Sequence, residues 1–202
     1  MFNKVSLTIG GLCMALLLSG CGRTSPSRLY VLSHVDGSDT LSNSGIAIAI
    51  DPVRIPEHLE RSVVISQKTK EQLHYSEGDR WGGPLEDNIT AVIRDNLSTY
   101  LNSTKVYESR YGSPYSPVVA SISITEFSGT LGSSATLQAR WVVSEKDYNE
   151  ASYGEYEMEL ESDSVSDYVS TLSALLAKLS KDIAEDVKDF YAGREDRLKD
   201  SE

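Results

Sequence analysis

Val118-Val-Ala-Ser-Ile-Ser-Ile-Thr-Glu-Phe127, Ala135-Thr-Leu-Gln-Ala-Arg-Trp-Val-Val143 and Tyr153-Gly-Glu-Tyr-Glu-Met-Glu-Leu160 follow one another with only short links between them. Apolar and polar residues alternate along each, the period of a strand with one face on a core. Links 128–134 and 145–152 supply the glycines and polar residues of hairpins, so the three read as consecutive strands. The period then changes. Leu172, Leu175, Leu176, Leu179, Ile183, Val187 and Phe190 recur at three- and four-residue steps, one apolar stripe of a long helix with Gly193 as its stop.

Working back toward the N-terminus, a second helix is marked over 84–101. Gly82-Gly83 breaks the chain, Pro84 suits the first helical position, and Glu86 and Asp87 favour the first turn. Its stripe runs through Leu85, Ile89, Val92, Ile93, Leu97, Tyr100 and Leu101, with Asn96 as a single polar break. Further strands are expected at 29–33, at 46–50 with one face on a core and its alanines under a helix, at 62–66, and at 72–75 paired with the last as a hairpin. Pro52 and Pro56 close the second of these, and Pro114 and Pro117 separate the first helix from the second half of the sheet. Two helices with one apolar face each and a mixed, largely antiparallel sheet make a two-layer α/β (α+β) sandwich.

The first 21 residues are of another kind. Lys4 precedes an apolar run from Val5 to Leu18, which ends in Leu18-Ser19-Gly20-Cys21. A charged n-region, a short h-region and small residues before a cysteine form a bacterial lipoprotein signal, cleaved between Gly20 and Cys21. The run covers about 14 residues where a membrane span needs roughly 20. Cys21 then carries N-acyl and S-diacylglycerol lipid as the new N-terminus, and Cys13 leaves with the signal. The chain divides into a signal peptide (1–20), an acylated N-terminus and tether (21–28), a domain (29–193) and a charged tail (194–202). Without Lys4, 18 basic side chains stand against 30 acidic ones, a net charge of −12. Such a surface repels nucleic acid and anionic headgroups, so acyl chains and not a basic patch must hold the membrane. Gly22, where an aspartate retains lipoproteins in the inner membrane of enterobacteria, points to the periplasmic face of the outer membrane. From Cys21 to Leu29 the tether reaches under roughly 30 Å.

Catalytic constellations are missing: there is no Gly-x-Ser-x-Gly elbow, Ser-x-x-Lys pair or His-Glu-x-x-His motif. His34, His58 and His74 are scattered without metal-ligand spacing, and Asp186 and Asp189 fit a solvated helix face. Asn-x-Ser/Thr triplets begin at Asn88, Asn96 and Asn102, without glycosylation meaning in a bacterial lipoprotein. The reading is a non-enzyme with no metal and no cofactor beyond the lipid on Cys21. One segment stands out, Arg80-Trp-Gly-Gly-Pro-Leu85. Trp81 and Leu85 can clamp the helix entry structurally, or Arg80, Trp81, Pro84 and Leu85 can anchor a partner.

The chain resembles the ABC-type transport auxiliary lipoprotein family, in particular its paraquat-inducible lipoprotein C branch. The matching stretches, in order, are Tyr30-Val-Leu32, Ile50-Asp-Pro-Val-Arg-Ile-Pro56 followed by His58-Leu-Glu-Arg61, and Arg80-Trp81 with Pro84-Leu85. Ile122-Ser-Ile-Thr-Glu-Phe-Ser-Gly129, Ala139-Arg-Trp141 and Asp167-Tyr168 complete them. Gly82-Gly83 departs from the family, where bulkier residues often follow the tryptophan. The resemblance implies an auxiliary component of a mammalian-cell-entry (MCE) type intermembrane phospholipid transport system. It further implies an MCE-domain partner with its own inner-membrane partner, docking of that bridge at the outer membrane, and a ring-shaped homo-oligomer. Two other classes stay open from the residues alone. They are an assembly lipoprotein for an outer-membrane protein or glycolipid exporter, and a periplasmic hydrolase with an unfamiliar site. Neighbouring genes would separate transport from assembly.

Overall fold

A computed structural model describes residues 26–36, 44–69, 71–112 and 118–194. The signal segment, Cys21, Gly20 and Gly22, the two prolines at 114 and 117, and the tail beyond Arg194 lie outside the described residues. In chain order the strands are β1 (Arg28–Tyr30), β2 (Ile48–Ile50), β3 (Val63–Thr69), β4 (Gln72–Trp81), β5 (Val106–Glu108), β6 (Val118–Gly129), β7 (Ser134–Glu145) and β8 (Tyr148–Glu159). The two helices are α1 (Leu85–Tyr100) and α2 (Val165–Ala192).

The expected α+β sandwich is present, with its strands divided between two sheets. A five-stranded sheet runs β5-β2-β6-β7-β8, and a three-stranded sheet runs β1-β4-β3. The meander β6-β7-β8 is antiparallel; β7 and β8 pair in unbroken register from Ser134↔Glu159 to Glu145↔Tyr148, and β6 and β7 pair with one irregularity between Ile124 and Glu126. Its strands outrun the sequence-based bounds because both hairpins are tight. Lys146-Asp147 suffices for one turn, so β8 begins five residues before Tyr153. In the other turn Gly132 takes φ +71°, a left-handed conformation that costs glycine little. β2 lies parallel between β5 and β6, shorter than the strand expected at 46–50. Ile48, Ala49 and Ile50 are all buried, as inner parallel strands are, so the alanine face is covered as well as the isoleucine face. Strand β5, only three residues long, leaves no periodic signal in the sequence.

α2 carries the core. Leu172, Leu175, Leu176, Leu179, Ile183, Val187 and Phe190 are each at most 1% exposed, in one cluster with Ile122, Leu137, Trp141 and Val143 of the sheet. Ser164 caps the helix by accepting from the Asp167 N–H at 3.1 Å, and Asp167 reaches back to the Ser162 N–H at 2.7 Å. Gly193 ends it with ordinary right-handed dihedrals. Asp186 is a further correction, because it accepts from the indole Nε1–H of Trp141 at 2.7 Å instead of standing free in solvent. One turn earlier Asp182 accepts from the Tyr156 hydroxyl at 2.6 Å. Burial, then that hydrogen bond, pushes the Tyr156 phenol well above its usual range. Arg194, assigned to the tail, instead pairs with Glu145 at 2.7 Å.

α1 is tied to the sheet edge by charge. Glu108, 5% exposed on β5, pairs with Arg94 of α1 at 2.8 Å and with Arg110 at 2.7 Å, and Arg110 reaches Asp87 in the first turn of α1 at 2.8 Å. The hydrogen bonds to Asp87 and Glu108 raise the Arg110 pKa further. Asn96, the polar break in the stripe, is fully buried, and its amide donates to Ser180 Oγ on α2 at 3.2 Å.

Candidate docking surface

β1 is shorter than the strand expected at 29–33, because the chain leaves the sheet after Tyr30 and crosses onto the helices. Its backbone donors are met there by side chains. The Leu32 N–H donates to Asn88 Oδ1 at 2.7 Å, Ser33 N–H to Ser173 Oγ at 3.2 Å, and Val35 N–H to Asn96 Oδ1 at 2.8 Å. Three polar residues within the helices thus receive an extended strap, satisfying donors that burial would otherwise leave costly. Upstream, Arg28 locks β1 to β4 through a two-pronged pair with Asp79, Nε–Oδ1 2.6 Å and Nη2–Oδ2 3.0 Å. That bond raises the Arg28 pKa, and burial chiefly raises that of Tyr30 next to it.

The Arg80–Leu85 segment sits against this strap. Gln72–Trp81 is a single ten-residue strand, not the four-residue hairpin arm expected at 72–75, so Arg80 and Trp81 end a strand instead of lying in a loop. The Trp81 N–H donates to Ser62 O at 2.9 Å and the Gly82 N–H to Tyr30 O at 2.8 Å, pinning the segment between β3 and β1. Trp81 is 7% exposed and Leu85 3%, both in the core cluster, while Arg80 donates to Ser62 Oγ at 3.2 Å. Pro84 is exposed and stands one residue before the first helical position. A Cβ on Gly82 would lie 2.9 Å from Val31 Cγ1, so a bulkier residue there displaces the strap's side chain.

Of the four sequence candidates, Trp81 and Leu85 therefore hold the helix entry from inside, and Arg80 and Pro84 remain on the surface. Two residues the sequence did not single out join them outside: Leu29 is 69% exposed and Val31 64%. They lie on and just beyond an edge strand, eight and ten residues after Cys21. Isolated apolar residues in a short strand carry no sequence signature of exposure, which is why they escape a periodicity reading. Trp81→Ala is expected to cost about 3–5 kcal/mol of stability, read as a lowered melting temperature of the purified protein. An unchanged melting temperature with lost partner binding would instead make Trp81 a docking anchor.

His34, His58 and His74 are all exposed, and among the described residues no group of His, Cys, Asp or Glu could hold a metal ion. No described helix is long and apolar enough to cross a membrane.

Residues 30–184 match the family model for the ABC-type transport auxiliary lipoprotein component. The chain belongs to that family. By its description this is a family of transport auxiliary lipoproteins. Among curated relatives, the intermembrane transport lipoprotein PqiC of Escherichia coli K12 is 24% identical over 132 residues, 64% of this chain and 70% of PqiC. PqiC of Shigella flexneri matches to the same extent. Among solved structures, an uncharacterized protein superposes with TM-score 0.69 at 16% identity, over 81% of this chain and 99% of its own. XCC0632 of Xanthomonas campestris does so with TM-score 0.64 at 10% identity, over 85% and 99%. At these identities the structural likeness speaks for the fold alone.

Proposed function

We propose that the chain is an outer-membrane-anchored periplasmic lipoprotein, the auxiliary component of an MCE-type intermembrane phospholipid transport system, docking the transport bridge at the outer membrane. The carrying observation is the family match over residues 30–184 in a chain whose first 21 residues end in Leu-Ser-Gly-Cys. The likeness to PqiC, an intermembrane transport lipoprotein by name, supports it. So does the placement of Leu29 and Val31, two exposed apolar side chains within a short tether's length of the lipidated cysteine. The partners are an MCE-domain protein with its inner-membrane component, and further copies of this chain in a homo-oligomer; nucleic acid is not among them.

Capture from cross-linked envelopes tests this. With a tagged full-length chain as bait, mass spectrometry is expected to return an MCE-domain protein and its multispan partner. Recovery of an outer-membrane β-barrel or glycolipid exporter in their place would favour an assembly role.

A further inference from the structure

Three of the stretches singled out in the sequence, 50–56, 122–129 and 139–141, meet at one groove that the docking function does not use. Ile50 pairs with Ala120, and then the chain swings away from β6 at Pro52, which has no N–H to offer the ladder. Thr90 Oγ1 of α1 takes up the Val53 N–H at 3.1 Å. The chain rejoins at Arg54, whose N–H donates to Ile122 O at 3.1 Å and whose carbonyl accepts from the Ile124 N–H at 2.9 Å. Arg54 thereby bridges Ser123, Ser123 pairs with Arg140, and Arg140 with Tyr153. Paired residues project to the same face of a sheet. Two arginines therefore flank one serine on a single cross-strand row, their Cα atoms roughly 10 Å apart at the usual strand spacing. The detour leaves a cavity of about 540 Å³ beside that row, completed by Asp51, Glu86 and Val142. That size suits a small ligand or a headgroup.

The arginines of this groove differ from the four that the fold holds in ion pairs, and share with Arg61 and Arg80 the lack of one among the described residues. Arg28, Arg94, Arg110 and Arg194 are each paired with a carboxylate. Arg54 and Arg140 have no ion pair among the described residues, in a chain of net charge −11. Arg140 lies over the Tyr153 ring, 5.8 Å from its centre, which orients the guanidinium without neutralising it. Asp51, also on the groove wall, is in no ion pair among the described residues and is held by Ser109 Oγ, which donates to Oδ1 at 2.6 Å, and by Ser121 Oγ, which donates to Oδ2 at 2.5 Å. Glu86, also lining the groove, is in no ion pair among the described residues. Two guanidinium groups without a direct ion pair, a hydroxyl between them and the carboxylates of Asp51 and Glu86 beside them match a zwitterion. Arginine favours phosphate oxygens through its planar fork.

We infer that this groove binds a phosphoethanolamine headgroup, with its phosphate between Arg54 and Arg140 at Ser123 and its ammonium toward Glu86. The phospholipid as source of that headgroup rests on the transport function proposed above; the phosphate-binding chemistry does not.

Calorimetric titration of the full-length protein in a phosphate-free maltoside detergent tests it, with dihexanoyl phosphatidylethanolamine, dihexanoyl phosphatidylglycerol and inorganic phosphate as probes. Phosphatidylethanolamine is expected to bind about tenfold or more tighter than inorganic phosphate, and the double variant Arg54→Gln/Arg140→Gln to lose about tenfold or more, with its melting temperature kept. Glu86→Gln is expected to erase the preference for ethanolamine over glycerol while retaining affinity for both lipids. Absence of binding to the wild type, or a double variant that binds equally well, overturns the site. Inorganic phosphate binding as tightly as lipid overturns the headgroup assignment, and an undiminished ethanolamine preference in Glu86→Gln overturns the role of Glu86. The double variant should still capture the transport partner from envelopes, so failure of the groove and failure of the docking function are read separately.

Discussion

Leu179→Asp is expected to abolish the cooperative thermal transition of the protein. Leu179 sits at the middle of the α2 stripe with no exposed surface, in the cluster that joins the helix to the β6-β7-β8 sheet. Two costs combine. Removing the leucine side chain from a packed site costs about 2–5 kcal/mol. An aspartate there finds apolar neighbours, and a carboxylate without partners costs several kcal/mol more, even after it takes up a proton. A domain of this size has about 5–15 kcal/mol in total. No disulfide offsets the loss within the domain, since residues 29–193 contain no cysteine. Circular dichroism of the purified variant reads the outcome, and a melting temperature within about two degrees of wild type would mean that α2 does not lie on the sheet.

That α2 packs on a three-strand meander is legible in the sequence because long elements give long periods. Twelve-residue strands and a 28-residue helix repeat their pattern often enough to fix face and order. The short elements are not legible for the same reason. A three-residue strand such as β5 has one and a half periods, and β2 is buried on both sides, so its alternation of large and small residues speaks of packing space and not of solvent. The division into two sheets is also hidden, since it depends on where Tyr30 hands the chain from β4 to the helices. Asn96, the single polar break in its stripe, was the available signal for that handover, and it proves to be an acceptor for the strap together with Asn88 and Ser173, which give no such signal in the sequence.

At the candidate surface the tryptophan's presence was legible and its orientation was not. A tryptophan before Gly-Gly-Pro fits both a clamp and a docking anchor, and the sequence does not disclose that the long strand β4 carries Trp81 into the core, the geometry that supports the clamp. The groove between Arg54 and Arg140 was invisible for a different reason. Its two arginines are 86 positions apart and meet only because the bridge at Ser123 aligns them, a register that one sequence does not contain.

The second large effect concerns the anchor, which lies in the residues outside the described structure. On the proposed reading Cys21 is the acylation site left after cleavage, and a chain this acidic supplies no second membrane signal. Three acyl chains at about 0.8 kcal/mol per buried methylene exceed the reversible binding of a single chain by a wide margin. Loss of Cys21 is therefore expected to be all or none for attachment: Cys21→Ala either stalls with its signal in place or is released as soluble protein. Gly22→Asp, in a host that sorts by the residue after the cysteine, is expected to stay acylated and move to the inner membrane. Sucrose-gradient fractionation with acyl labelling of the wild type and Cys21→Ala is the most direct measurement. The account predicts labelled wild type in the outer-membrane fraction and no label on the variant. An unlabelled wild type in the soluble periplasm, or label retained by Cys21→Ala, would contradict the lipoprotein anchor and the docking function built on it.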